Sequence, residues 1–144
     1  MELHLREPKT SEEFEKYYDL RWRILRAPWT AERASGRDEH EQDAIHLAAW
    51  AGDRLVGTGR VHFLSADEAQ IRGMAVEMGF ERKGIGSMIL AGLEERAARL
   101  GAKHLVLHAR ATAIPFYQQQ HYRLLDQSHT LFESIVHWRM RKDL

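Results

Sequence analysis

The sequence predicts a mixed α/β domain of α+β type: a mostly antiparallel sheet flanked by helices, in the order β-α-β-β-β-α-β-α-β-β. Three observations carry this. Residues 46–76 hold three short strand-like runs joined by brief connections, which is the pattern of an antiparallel meander. The period then changes to that of a helix over residues 85–100. Behind it, residues 104–109 are nearly all apolar, as expected of a buried parallel strand reached by a helical crossover. No repeat, low-complexity tract or linker divides the 144 residues, so one domain is expected over 1–144.

The elements follow in order. Leu3 and Leu5 flank His4 in a short strand. Thr10-Ser11-Glu12-Glu13 reads as a capping box, with Thr10 accepting from the Glu13 amide while Glu13 reaches back. Phe14, Tyr17, Tyr18, Trp22 and Leu25 recur at helical spacing, so a helix runs to about Leu25 and Pro28 closes it. Residues 28–43, with Gly36 and the acidic cluster Asp38, Glu39, Glu41 and Asp43, read as a loop. Residues 46–51 and 54–64 form a hairpin about Gly52-Asp53, with Leu55, Gly57, Gly59, Val61 and Phe63 on one face. Residues 69–76 add the third strand. Ile85, Ile89, Leu93, Ala97 and Leu100 mark one face of the next helix, which Gly101 caps. A short helix over 113–120 precedes a closing antiparallel pair, 122–131 and 135–140.

Composition narrows the function. Lys plus Arg and Asp plus Glu both number 21, and a neutral chain lacks the basic excess of a nucleic-acid module. The absence of cysteine excludes disulfides, zinc–thiolate sites and thiol nucleophiles. No apolar run approaches the ~20 residues of a membrane span, and the acidic start is unlike a secretory signal, so a cytoplasmic location is expected. Asparagine is also absent, through selection against a heat-labile residue or through coding bias.

The stretch that carries chemistry is residues 75–87, AVEMGFERKGIGS, where a strand meets a glycine-rich turn and a helix begins. A helix start offers unpaired amides and a partial positive charge, which suit a phosphate. Gly84 and Gly86 allow close backbone approach, Ser87 adds a hydroxyl, and Arg82 and Lys83 add charge. Gly79 and Gly84 have the spacing of a nucleoside-triphosphate P-loop, but Ile85-Gly86 stands where Lys-Ser/Thr is needed. Gly84-x-Gly86 opens a dinucleotide fingerprint, but Ile89 holds the third glycine position.

Here the sequence resembles the GNAT superfamily of N-acetyltransferases, whose acyl-coenzyme A loop reads Gln/Arg-x-x-Gly-x-Gly/Ala. Glu81-Arg82-Lys83-Gly84-Ile85-Gly86 takes that place. A second family stretch, Asn-x-x-Ala-x-x-Phe-Tyr followed by Gly-Phe/Tyr, is matched by Arg110, Ala113, Phe116, Tyr117 and His121-Tyr122. The resemblance implies acetyl transfer from acetyl-coenzyme A, as cosubstrate, to the amine of a small molecule or an exposed peptide. It implies a pyrophosphate on the amides of Arg82, Lys83, Gly84, Ile85, Gly86 and Ser87. The pantetheine arm would lie along Met74, Ala75 and Val76, with Tyr117 protonating the leaving thiolate. Homodimers are frequent in similar proteins.

The chain departs from the family pattern at four positions. Glu81 replaces Gln/Arg, where a carboxylate opposes a pyrophosphate; Arg110 replaces Asn; His121 replaces Gly. Gln70 stands where the family's general base, a Glu, is usual, and an amide takes up no proton, though it can position a water. Among nine histidines, His108 at the end of its strand is the preferred base, with His129 and His137 on the closing strands. A non-catalytic acyl-coenzyme A-binding sensor or partner-binding module is the alternative function that Gln70 keeps open. Asp38, Glu39, His40, Asp43 and His46 lack a metal-ligand spacing and read as a solvated acidic loop, so no metal is expected. Gln70, Arg72 and Met74 alternate onto one strand face, which the family resemblance implies is turned toward the acceptor. Arg72 there, with His129, suits an acceptor bearing an acidic group, unless Arg72 pairs with Glu68 or Glu77.

Overall fold

A computed structural model describes residues 2–30, 32, 37–131 and 135–144; Gly36 of the predicted loop lies outside them. Strands β1 (Leu3–Arg6), β2 (Ile45–Ala51), β3 (Arg54–Phe63), β4 (Glu68–Val76), β5 (His104–Arg110), β6 (Arg123–Leu131) and β7 (Ile135–Asp143) form one sheet in the order β1-β2-β3-β4-β5-β7-β6. Helices α1 (Ser11–Leu25), α2 (Ile85–Arg99) and α3 (Ile114–Gln119) complete the predicted element order. All strand pairings are antiparallel except β4 with β5, which the α2 crossover makes parallel. Among the described residues no helix is long and apolar enough to cross a membrane.

The two long helices cover opposite faces. Leu47 and Ala49 of β2 pack with Ile89 and Leu93 of α2, while the alternating Ala48 and Trp50 pack with Tyr17 and Leu20 of α1. The α2 face is a continuous apolar core, each fully buried Leu or Ile contributing about 1.5–3 kcal/mol. There α2 approaches β3 closely: a Cβ on Gly59 would lie 2.6 Å from Ile89. The α1 face is different, because it buries Arg21, His46, Thr58, Arg60 and His62 among its apolar residues.

Local signals explain the boundaries. The Thr10 hydroxyl accepts from the Glu13 amide at 3.1 Å, and the Glu13 carboxylate reaches back to the Lys9 amide at 2.9 Å. The buried stripe of α1 is Tyr17, Leu20 and Arg21; Trp22 is only half-buried and its indole donates to the Glu32 carbonyl. At the end of α3, His121 adopts φ +73°, with Tyr122 N–H bonded to Tyr117 O and His121 N–H to Gln118 O. This is the left-handed cap that the family's glycine would provide.

Strict alternation fails at two bulges. Ala49 pairs with Gly57 but Trp50 pairs with Leu55, so Val56 is an extra residue and Leu55 turns to the α1 face, away from Gly57, Gly59 and Val61. On β4, Arg72 pairs with Arg60 and Ala75 with Thr58, and the extra residue lies at Gly73, whose φ is +66°. The Thr58 hydroxyl fixes this bulge by donating to the Gly73 carbonyl at 2.8 Å.

Candidate functional site

Strands β4 and β5 pair only at Glu68↔His104, Ala69↔Leu105 and Gln70↔Val106. Beyond Gln70 they separate, and a cavity of about 430 Å³ opens between them. Leu105, Leu107 and Ala109 of β5 face the α2 core, as does Tyr117 of α3, so the intervening His108 and Arg110 face the other way. The gap therefore joins the two faces of the sheet. Tyr117 lines it from one face and Gln70, Arg72 and His108 from the other, with Gln70 at the apex.

The Gly73 bulge corrects the expectation that Met74 shares a face with Gln70 and Arg72. Gln70 and Arg72 lie opposite His62 and Arg60, on the α1 face, whereas Met74 packs under α2 with its sulfur near Gly59. One extra residue reverses every later side chain.

Tyr117 is 8% exposed, and its hydroxyl has no hydrogen-bond partner among the described residues. Burial pushes its phenol up from the ordinary value. The rings of His108 and His129 lie 5.3 Å apart, and His129 stacks on His137 at 4.3 Å. Burial holds His108 below the ordinary imidazole value, helped by His129 and Arg72; burial also holds His137 down to about 4. These rings are neutral near pH 7. His108 Nδ1 is buried without a partner among the described residues.

At the far end of β4, the turn leads into α2. Arg82 and Gly84 both have positive φ, +61° and +80°, which curls the backbone amides inward. Among the described residues the amides of Ile85, Gly86 and Ser87 bond to no acceptor, since α2 begins here and has no side-chain cap. A Cβ on Gly84 would meet nothing within 4 Å. Gly86 has a different use: a Cβ there would lie 3.3 Å from the Phe116 ring, so this glycine seats α3 on α2. The Ser87 hydroxyl accepts from Gln120 at 3.0 Å, which leaves its proton to donate. One oxygen of the exposed Glu81 carboxylate accepts from the Gly79 amide at 2.9 Å, within the turn.

Two residues of the predicted solvated acidic loop, Asp38 and Glu41, are instead the counter-charge of a buried arginine cluster, while Glu39 and Asp43 are exposed. Asp38 takes both terminal nitrogens of Arg60, at 2.7 and 2.5 Å, and Glu41 takes those of Arg21, at 2.8 and 3.0 Å. Arg21 and Arg60 are each 2% exposed, which only such pairing allows. Arg60 Nη1 also lies 3.2 Å from a Glu41 oxygen, and Arg72 Nη1 3.0 Å from an Asp38 oxygen, as ion pairs. Arg72 thus has neither expected partner: Glu68 pairs with His104 and Glu77 with Arg23. His46 is likewise internal, 3.0 Å from the Tyr17 hydroxyl and 2.6 Å from the Glu41 carbonyl. Arg110 donates to the Leu25 carbonyl at 2.6 Å, tying β5 to the end of α1.

The sequence model of the acetyltransferase (GNAT) family matches residues 11–122. An uncharacterized N-acetyltransferase of Bacillus subtilis (strain 168), YjcF, is 32% identical over 106 residues, covering 74% of this chain and 75% of that protein. Among solved structures, the PaiA N-acetyltransferase from Thermoplasma acidophilum, in complex with coenzyme A, superposes with a TM-score of 0.80 at 18% identity over 100% of both chains. An aminoglycoside 6'-N-acetyltransferase complexed with coenzyme A gives 0.82 at 14% identity, over 99% of this chain and 97% of that one.

Proposed function

The chain belongs to the acetyltransferase (GNAT) family, and we propose that it moves the acetyl group of acetyl-coenzyme A to an acceptor amine inside the split between β4 and β5. The observation that carries this reading is the arrangement along β4. An open sheet edge and a two-faced cavity follow Gln70, and a turn with unpaired amides ends the same strand. Those amides and Ser87 suit the pyrophosphate, and the backbone of Met74, Ala75 and Val76 suits an extended arm on the side that β5 vacates. The coenzyme supplies an activated thioester. In the transfer, the amine nitrogen bonds to the acetyl carbon, the carbon–sulfur bond breaks, the amine loses a proton and the thiolate gains one. Tyr117 is the donor for sulfur and His108 the acceptor from nitrogen, each entering the gap from its own face. Release of free thiol from acetyl-coenzyme A, dependent on an added amine, tests the reading. Tight coenzyme binding without release from any amine favours the sensor instead.

Two further outcomes are expected. Gly86→Val forces a branched side chain against Phe116 and should weaken acetyl-coenzyme A binding about tenfold by moving the helix start. Calorimetry on folded protein measures it, and unchanged affinity would move the phosphate site elsewhere. For His108, a base held below the ordinary value stays unprotonated at lower pH. The acid limb of kcat/KM should therefore fall below about pH 6.5. The limb should vanish in His108→Gln; its persistence there would assign it to another group.

A further inference from the structure

The cavity is lined by cations and, among the described residues, by no carboxylate. Arg26 at the end of α1, Arg72 on β4 and Arg110 on β5 reach it, together with His108, His129 and His137. The arginines are not equivalent. Arg110 is committed to the Leu25 carbonyl and lies over the Trp29 ring at 4.6 Å. Arg72 makes one ion pair, with Nη1 3.0 Å from an Asp38 oxygen, and its N–H groups make no hydrogen bond among the described residues. Asp38 is already held by both terminal nitrogens of Arg60, so its charge is shared. Among the described residues, the ion pairs of this network join three guanidiniums, Arg21, Arg60 and Arg72, to two carboxylates, Asp38 and Glu41. One positive charge is in excess, and Arg72, with its side chain 36% exposed, presents it to the cavity.

We propose that the acceptor is a small amine carrying an anionic group, a carboxylate or a phosphate, a few atoms from its nitrogen, and that Arg72 binds that group. The assignment rests on the acetyl-transfer reading above. A guanidinium with one edge on a carboxylate and its other donors open is suited to a planar or tetrahedral anion, which it grips through parallel hydrogen bonds. A second ammonium group, as in a polyamine, would meet only like charge there. The same field has a chemical use. Burial and then the guanidiniums of Arg110 and Arg72 depress the Arg26 value, and burial, Arg72 and Arg26 depress that of His129. A field of that sign also loosens a proton from an incoming ammonium, which must be lost before the nitrogen can attack. The anion on the acceptor offsets the repulsion that this ammonium meets on entry.

The test compares matched amines on the wild-type protein by acetyl-coenzyme A-dependent thiol release: β-alanine with β-alaninamide, O-phosphoethanolamine with ethanolamine, and spermidine as the polycation. At least one anionic member should exceed its neutral partner about tenfold in kcat/KM, with spermidine the poorest. The carboxylate and phosphate pairs distinguish the two anions. Arg72→Met should lower kcat/KM for the anionic amine about tenfold more than for its neutral partner. Preference for neutral amines or spermidine in the wild type overturns the assignment without any variant. So does an equal loss for both members of a pair, or a loss confined to the KM of acetyl-coenzyme A, which would give Arg72 to the coenzyme. Thiol release with none of these amines but with another small-molecule or peptide amine overturns this assignment alone, whereas release with no amine at all overturns the acetyl-transfer reading and this assignment with it.

Discussion

Asp38→Asn is expected to destabilise the protein by about 3–5 kcal/mol, the cost of removing one partner from a buried ion pair. Asp38 accepts both terminal nitrogens of Arg60, which is 2% exposed and whose Nε is already without a partner among the described residues. A neutral amide leaves Arg60 sharing Glu41 with Arg21, at 3.2 Å against 2.8 Å for the Arg21 pair. The loss arises mainly from the stranded cation, so the double variant Asp38→Asn/Arg60→Met should be more stable than Asp38→Asn alone. Urea unfolding at neutral pH measures both, and a single-variant loss below about 1 kcal/mol would show that Arg60 finds water or another anion. The pH dependence has a definite sign. The Arg60 guanidinium holds the Asp38 carboxyl well below the usual carboxylate range. Its stabilisation is therefore full above the ordinary value of about 4 and is lost as pH falls toward the lowered folded value.

This network also shows what the sequence conceals. The change of period from strand to helix after Gly84, and the all-apolar run at β5, made the element order legible, because burial on one face or two writes itself into spacing. The glycine turn was legible because it joins a strand end to a helix start. The bulges were not: Val56 looks like any strand residue, and Gly73 left only the faint mark of a glycine inside a strand. Asp38 and Glu41 looked solvated because their partners Arg21, Arg60 and Arg72 are distant in sequence. A trace existed all the same. Arg21 follows Tyr17 by one helical turn and so occupies a core position that an unpaired arginine would not tolerate, whereas Arg60 alternates with Thr58 and His62 and read as part of a polar strand face.

Tyr117→Phe should lower kcat about 10- to 10³-fold, the range for loss of a general acid, while barely changing the KM for acetyl-coenzyme A. The substitution keeps the ring and its edge contacts with Phe116 and Tyr122, at centroid distances of 5.0 and 5.8 Å. It removes a hydroxyl that has no hydrogen-bond partner among the described residues, so folding stability should hold or rise slightly. That separates a chemical role from a structural one: a merely packed tyrosine would lose neither rate nor stability. Burial pushes the phenol above its ordinary value, and an acid must begin protonated, so the proton is in place throughout the assay range. No basic limb from this group should appear below about pH 10. The raised value makes the phenol a weaker acid than the departing thiol, with its ordinary value near 8.5, so its hydrogen bond matters most while charge builds on sulfur. Transfer from an acetyl donor with a better thiolate leaving group should then depend less on Tyr117. Measuring both variants of the protein with acetyl-coenzyme A and with an acetyl thioester of a more acidic thiol decides it: an equal deficit with both, or full turnover in Tyr117→Phe, would remove the proton from this residue.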